Sequence, residues 1–409
     1  MRIAMVSEHA SPLATLGGVD AGGQNVHVAA LAAELAADGH RVTVYTRRDC
    51  PTTPNVVRMP SGVDVVHVPA GPAESISKDE MLPWMGAFGD WMITQWRRTG
   101  PPDVVHAHFW MSGLAALRAG GALGVPVAQT FHALGVLKKR HQGPRDTSPA
   151  DRIQLERFIG RSTDLIIATC SDEVVELQGM GVHPDKIRVA PCGVDLNLFT
   201  PAPPGAIGTG RRPMRLLSVG RLVERKGVDT VLQALTLVPG AELIIAGGPP
   251  ADELGSDAEA VRLNRLAAEL GVADRVRMTG GLDHRTLPGL FHAADVVVCT
   301  PWYEPFGIVP VEAAACGRPV IGSAVGGLLD TIDDGVTGLH VPPRDPVALA
   351  AALRALRDDP GRRRRLGRAA RRRAELLYSW STVARSTLAA YRTVVIRPSR
   401  RRHRQVSGA

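Results

Sequence analysis

Pro301-Trp-Tyr-Glu-Pro-Phe-Gly-Ile-Val-Pro-Val-Glu-Ala-Ala-Ala-Cys-Gly-Arg-Pro-Val320 decides how this chain reads. It follows an apolar run, Asp295-Val-Val-Val-Cys299, that has the character of a strand, and Phe306 and Gly307 open a helix expected over 306–316. Glu304 lies in the loop and Glu312 lies one to two turns into the helix, with seven residues between them. A helix N-terminus offers unpaired backbone N–H groups and partial positive charge, so it suits a phosphate. Glu312 can accept two hydroxyl hydrogen bonds, as a ribose would offer. Glu304 is placed to reach whatever hangs from the phosphate. The unit reads as a grip on a nucleotide-linked group.

The rest of the chain alternates strands and helices twice over. In the first half strands are expected over 3–6, 42–45, 63–68, 103–106, 125–128, 165–168 and 187–189, with helices over 24–38, 78–98 and 149–161. A Pro- and Gly-rich segment, Thr200-Pro-Ala-Pro-Pro-Gly-Ala-Ile-Gly-Thr-Gly210, interrupts the pattern and reads as a linker. Strands resume over 216–220, 242–246, 276–279, 295–299, 319–323 and 338–341, with helices over 227–237, 257–270, 306–316 and 346–356. Such alternation implies parallel sheets covered by helices on both faces. The expected architecture is α/β: two Rossmann-like domains, 1–199 and 215–380, joined by a linker at 200–214 and facing each other across a cleft. In open sheets of this kind ligands bind beyond the carboxyl ends of the strands.

Composition narrows the class further. A chain of 409 residues with 44% hydrophobic content supports two or three sizeable cores. No run approaches the ~18–20 apolar residues that span a bilayer, and the N-terminus enters a strand pattern without the regions of a signal peptide. A cytoplasmic protein is expected. Cys50, Cys170, Cys192, Cys299 and Cys316 are scattered and odd in number, which favours free thiols over disulfides or zinc. The net charge of +8 is concentrated near the end, where 361–373 carries eight arginines and 397–409 five more. The first cluster reads as a solvated helix face, the last as a basic, disordered tail. Weak contact with an anionic membrane is the alternative for these arginines. Nucleic-acid binding is disfavoured because no aromatic residues interleave with them.

The Glu304/Glu312 segment resembles the E-x7-E signature of the retaining glycosyltransferases of family 4, which have the GT-B fold. A bare pair of glutamates says little, because glutamates are common on solvated helices. The Glu-Pro-Phe-Gly context and the following Val325-Gly-Gly327 reverse that reading. Gly220-Arg-Leu-Val-Glu-Arg-Lys-Gly227 is similar to the family's G-R-x-x-x-x-K-G element, and Arg221 and Lys226 straddle a short turn from which both can meet a diphosphate. No Asp-x-Asp pair is present for a divalent ion, and neither metal nor cofactor is expected. Gly17-Gly-Val-Asp-Ala-Gly-Gly-Gln-Asn25 resembles the N-terminal loop of sucrose-phosphate synthases and of the inositol-phosphate glycosyltransferase of mycothiol synthesis. That likeness implies that Gly22 and Gly23 approach the donor diphosphate while Gln24 and Asn25 face the acceptor.

The resemblance also implies that the C-terminal helix, at about 382–393 within 381–396, crosses back onto the first domain. It places His132, in Gln129-Thr-Phe-His132, beside the transferred sugar, with Glu304, Arg221 and Lys226 as the other catalytic groups. Phe306, Gly307, Ile308, Val309 and Glu312 complete the donor site. His106 and His108 read as structural, and His9 as a cleft neighbour without an assigned role. On the acceptor side Lys78 resembles a phosphate-gripping lysine, with Arg152 as a second cation. Phe109 and Ala133, however, stand where the inositol-phosphate enzyme has a tyrosine and a threonine. Losing both hydroxyls removes two donors that a buried phosphate needs, so the acceptor is either unphosphorylated or held differently. The implied reaction moves a sugar from a nucleotide diphosphate, UDP by default, to a hydroxyl of a small polar or sugar-like acceptor, with retention. The alternatives are a nucleotide-sugar 2-epimerase on the same fold and a non-catalytic nucleotide-sugar-binding protein.

Overall fold

The computed structural model describes residues 1–14, 23–202 and 213–395. Gly22, most of the expected linker and the basic tail at 397–409 lie outside the described residues. The first sheet contains β1 (Arg2–Val6), β2 (Arg41–Arg47), β3 (Val56–Arg58), β4 (Asp64–Val68), β5 (Val104–His108), β6 (Val127–Thr130), β7 (Leu165–Ala168) and β8 (Ile187–Val189). Their order is β3-β4-β2-β1-β5-β6-β7-β8, and only the β3–β4 pair is antiparallel. The second sheet contains β9 (Met214–Val219), β10 (Ala241–Ala246), β11 (Val276–Met278), β12 (Val296–Cys299), β13 (Val320–Ser323) and β14 (Gly338–Val341). It is wholly parallel, in the order β11-β10-β9-β12-β13-β14.

Strands covered on both faces read as continuous apolar runs, and Ile3 to Val6 of β1 are all at most 2% exposed. One face of the first sheet packs Phe88, Met92 and Trp96 of the helix Met85–Thr99 and Trp110 of the helix Trp110–Leu123. The other face packs Val28, Leu31 and Leu35 of the helix Gly23–Ala37 together with Trp380, Val383, Leu388 and Tyr391 of the helix Trp380–Val395. The last helix therefore returns to the N-terminal sheet. Each of its fully buried side chains contributes roughly 1.5–3 kcal/mol to that return. Tyr391 adds a specific tie, with its hydroxyl 2.7 Å from His106 Nδ1.

Two local expectations change. The stretch expected as one helix over 78–98 begins with two short 3-10 turns, Lys78–Glu80 and Leu82–Trp84, and becomes α-helical only at Met85. Pro83 has no N–H to donate into a longer helix. The arginine-rich segment is the helix Pro360–Leu377, and its charges are not all solvated. Arg371 donates to the carbonyls of Phe199 (2.9 Å) and Ala315 (2.6 Å), and Arg373 to that of Asp330 (2.8 Å). All five cysteines are unpaired, with Cys170, Cys192 and Cys316 buried. Among the described residues no helix is long and apolar enough to cross a membrane.

Each sheet reverses its winding direction once, between β1 and β5 in the first and between β9 and β12 in the second. Such switch points open crevices at the strand carboxyl ends. The two crevices face each other.

Candidate active site

The cleft between the sheets has a cavity volume of about 420 Å³. His9 follows β1, Phe109 follows β5, His132 follows β6, Arg221 follows β9, and Thr300, Pro301 and Glu304 follow β12; all of them belong to its wall. Of the residues expected from sequence, Gly23, Gln24, Asn25, Lys78, Phe109, His132, Ala133, Arg221, Lys226, Glu304, Phe306, Gly307, Ile308 and Val309 line it. Glu312 and Arg152 do not. Glu312 is 4% exposed and its Oε1 lies 2.6 Å from His284 Nε2. Arg152 is held by Glu156 Oε1 (2.8 Å), Ser148 Oγ (3.1 Å) and the Ala133 carbonyl (2.7 Å), with its guanidinium carbon 5.1 Å from the Phe109 ring.

On the donor side two helix N-termini converge. The helix Gly23–Ala37 begins against the helix Ile308–Ala315, so closely that a Cβ on Gly23 would lie 2.8 Å from Ile308 Cδ1. Their unpaired N–H groups and dipoles favour an anion between them. Lys226 Nζ donates to Glu304 Oε2 at 2.5 Å. Burial pushes the Glu304 carboxyl up, but Lys226, Arg225 and Arg221 outweigh it and hold the pKa below the ordinary carboxylate value. Glu304 is therefore an anion at neutral pH. Glycines make this packing possible. Gly227 sits at φ +66°, and a Cβ there would lie 2.0 Å from the Thr300 carbonyl oxygen. Gly326, at φ +50°, approaches the Glu304 carbonyl in the same way, and the Gly327 N–H donates to that carbonyl at 2.9 Å. The sequence motifs are thus the places where one backbone touches another.

On the opposite wall, backbone strain marks the site. Phe109 (φ 78°) and His132 (φ 60°) are two of the three non-glycine residues with positive φ among the described residues, and both line the cleft. Each such conformation costs of order 1–3 kcal/mol and persists only where surroundings enforce it. The Phe109 N–H donates to the Thr130 carbonyl (2.9 Å), and Gln129 Nε2 donates to the Phe109 carbonyl (3.0 Å). His132 Nε2 lies 3.0 Å from His108 Nδ1, and the rings stack. Burial, reinforced by the neighbouring histidines, pushes both pKa values well below the ordinary range. His27 falls to about 4 through burial, and His106 to about 3 through burial and the proximity of His27. His132 thus presents a neutral imidazole.

Sequence reasoning missed Arg225, a cleft residue from the same turn as Lys226, and His284, the partner of Glu312. Nothing local marks His284, because its role depends on a helix 28 residues away. Four contacts that join the two halves were also invisible. Asp330 accepts from Ser171 N (2.5 Å) and Ser171 Oγ (2.6 Å), and Cys170 Sγ donates to the Pro305 carbonyl (3.1 Å). His141 stacks on Tyr303 with centroids 5.1 Å apart, and Arg145 pairs with Glu224.

The family model for glycosyl transferases group 1 matches residues 207–373, and that for Glycosyltransferase Family 4 matches residues 21–198. The D-inositol 3-phosphate glycosyltransferase of Xylanimonas cellulosilytica is 37% identical over 95% of this chain and 96% of its own. The chain belongs to glycosyltransferase family 4. The enzyme of the same description from Streptomyces coelicolor is 35% identical over 100% of this chain and 94% of its own. Among solved structures, sucrose-phosphate synthase from Thermosynechococcus elongatus superposes with a TM-score of 0.86 at 33% identity, covering 96% of this chain and 98% of that one. Anabaena HepE, solved in complex with UDP, shares the fold at a TM-score of 0.74 and 19% identity, covering 96% of this chain and 100% of its own. The two-sheet GT-B architecture with its returning C-terminal helix is the family's fold. The chain is accordingly a retaining, metal-independent glycosyltransferase that takes its sugar from a nucleotide sugar.

Proposed function

We propose that the chain transfers a hexosyl group from a UDP-sugar to a hydroxyl of a small, unphosphorylated polyol or sugar-like acceptor. The observation that carries the donor half is the Lys226–Glu304 pair set between two converging helix N-termini. Lys226 and Arg221 take the diphosphate and neutralise it as it leaves, with Gly23 and the Phe306–Val309 backbone closing around it. Glu304 takes the donor sugar and Glu312 the ribose, once His284 yields its hydrogen bond. His132 positions the sugar from the opposite wall. Its neutrality matters there, because an imidazolium would repel the oxocarbenium-like charge that develops at the anomeric carbon. Positioning two substrates and neutralising a leaving group are the terms a preorganised site supplies.

The acceptor half rests on what surrounds Phe109 and Ala133. Neither offers a hydroxyl, and Arg152 is committed to Glu156, Ser148 and the Ala133 carbonyl. Lys78 is then the one cation from the expected acceptor set that lines the cleft. Gln24 and Asn25 complete the neutral wall.

A panel of sugar nucleotides with sugars, polyols and their phosphates, read by UDP release and anomeric NMR, tests the reading. The expected result is faster release with a neutral acceptor than with its phosphate, and a product of retained configuration. Preference for a phosphorylated acceptor refutes the acceptor half. Isomerisation of the donor without any acceptor marks an epimerase, and absence of turnover with every nucleotide refutes catalysis.

A further inference from the structure

Several arginines of the helix Pro360–Leu377 are spent on this chain. Arg363 donates to the Leu356 carbonyl (2.9 Å) and reaches Asp295 (3.8 Å), and Arg365 lies 3.5 Å from Asp359. Arg371 pairs with Glu375 at 2.6 Å besides the carbonyls it holds, and Arg373 binds the Asp330 carbonyl. Arg364, Arg368 and Arg372 are different. All three are exposed, and none has a hydrogen-bond or ion-pair partner among the described residues. They stand four residues apart, so they form one row along the helix. The acids nearest in the chain are already engaged, Asp358 by Arg357 (2.8 Å), Asp359 by Arg365 and Glu375 by Arg371.

Like charges at this spacing destabilise a helix. The first turn holds arginines and no acid, although a cation there opposes the helix dipole. The row thus works against the helix that carries it, and an anionic surface outside the chain relieves that repulsion. Its far end shows what kind of surface fits. Leu376, four residues beyond Arg372, continues the row and is 72% exposed. From Arg364 to Leu376 the row spans roughly 18 Å at 1.5 Å per residue. A basic row that ends in a bare leucine has the pattern of a helix lying among lipid headgroups, with arginine stems and leucine reaching toward the acyl boundary. A nucleic acid gains nothing from Leu376, and no aromatic residue stands in the row to stack on a base. The opposite face of the helix, Leu366, Gly367, Ala370 and Ala374, is buried, and the helix packs against Ile308–Ala315, whose first residues line the cleft. A bilayer that meets the row therefore leaves the cleft open.

We propose that the row Arg364, Arg368 and Arg372, with Leu376 at its end, is a docking surface for the anionic headgroups of a lipid bilayer. The contact is peripheral and reversible, held by charge and one shallow apolar anchor. The inference goes beyond the proposed function and does not depend on which acceptor the cleft takes.

Sedimentation of the full-length protein with vesicles of phosphatidylglycerol and phosphatidylcholine in equal parts, against vesicles of phosphatidylcholine alone, tests it. At low ionic strength the protein sediments with the anionic vesicles only, and it is released at about 0.5 M salt, where the Debye length falls to about 4 Å. An arginine near an anionic surface strengthens binding about fivefold. Arg364→Gln/Arg368→Gln/Arg372→Gln therefore weakens partition ~10²-fold, and its Tm is equal or higher because the like-charge spacing is gone. Leu376→Trp adds fluorescence that shifts to the blue on the anionic vesicles, as an indole does on entering the headgroup layer. Arg400→Gln/Arg401→Gln/Arg402→Gln/Arg404→Gln, in the basic tail, keeps binding to the anionic vesicles. Unchanged partition of the helix variant, or loss confined to the tail variant, assigns the contact to the tail and overturns the proposal. Absence of binding at low ionic strength, equal binding to neutral vesicles, or a DNA duplex held more tightly than the anionic vesicles overturns it as well.

Discussion

Replacing Lys226 with alanine separates the charge reading of the donor site from a purely structural one. Lys226 and Glu304 are 23% and 17% exposed, between the surface and interior regimes. Exposed pairs contribute at most about 1 kcal/mol, and breaking a buried pair costs about 3–5 kcal/mol. Lys226→Ala should therefore lower stability by about 1–3 kcal/mol, measured by urea unfolding. The sign with pH follows from Glu304, whose folded pKa lies below its unfolded value. Its contribution is complete above the unfolded pKa and is lost as pH falls through the folded one. The gap between wild type and variant is thus full at pH 7 and closes below about pH 4. Catalysis should lose more than stability does. One strong electrostatic donor to a developing charge is worth roughly 10²–10³ in rate, so UDP release should fall by ~10²-fold or more.

The double variant Lys226→Ala/Glu304→Gln decides between explanations. Removing the orphaned carboxylate should restore much of the stability and none of the rate. If the double variant recovers activity, Lys226 serves only to neutralise Glu304, and the diphosphate role fails. Near-normal UDP release in the single variant refutes it outright.

Asp330→Ala removes two hydrogen bonds to Ser171, each worth about 1 kcal/mol or somewhat more; small-angle scattering should show a more open molecule, and donor KM should rise about tenfold with little change in Tm. Gly227→Ala forces a Cβ to 2.0 Å from the Thr300 carbonyl at a positive φ, and it should cost more than about 1 kcal/mol by calorimetry and misplace Lys226, so activity falls as well. Tyr391→Phe strands the fully buried His106 Nδ1, and urea unfolding should register a loss of about 1–3 kcal/mol with donor kinetics unchanged. Because His132 and His108 are neutral with depressed pKa values, neither should contribute a limb to the pH profile of kcat/KM near the ordinary histidine pKa of about 6.5, so any such limb should survive His132→Gln. Stability, by contrast, should fall as acid takes the solution below that value, since the unfolded chain binds protons that buried His27 and His106 refuse until about pH 4 and 3.

Motifs that contain their own geometry were legible in the sequence. The Gly220–Gly227 turn, the Glu304–Gly307 loop and Val325-Gly-Gly327 carry the residues that line the cleft and the glycines that let Thr300 and Glu304 come close. Helices with strong amphipathic stripes, such as Asp257 onward and 346–356, were also readable. The helix Trp110–Leu123 was not, because Trp110, Met111, Ser112, Gly113, Ala115 and Ala116 are all buried and leave little polar face to set a period. Glu8, whose carboxylate accepts from Ser112 Oγ, carried no signal in the sequence. Its partner Ser112 lies 104 residues away, a separation over which no local pattern reports. The Glu312–His284 pair escaped for the same reason.

The cross-sheet contacts give the site a mechanical property that its chemistry requires. Glu304 stands between two residues that touch the other half: Tyr303 stacks on His141, and the Pro305 carbonyl accepts from Cys170 Sγ. Its own carbonyl is held by Gly327, and three residues further on Asp330 caps the helix Ser171–Gly179 of the N-terminal half. The segment that carries the donor-sugar carboxylate is therefore also the segment that fastens the two halves together. Separating the sheets to admit a nucleotide sugar must strip contacts from both sides of Glu304, and closing them restores its position relative to His132. Binding energy from the nucleotide can be used to rebuild the pair of opposed walls, which makes closure and catalytic alignment one event.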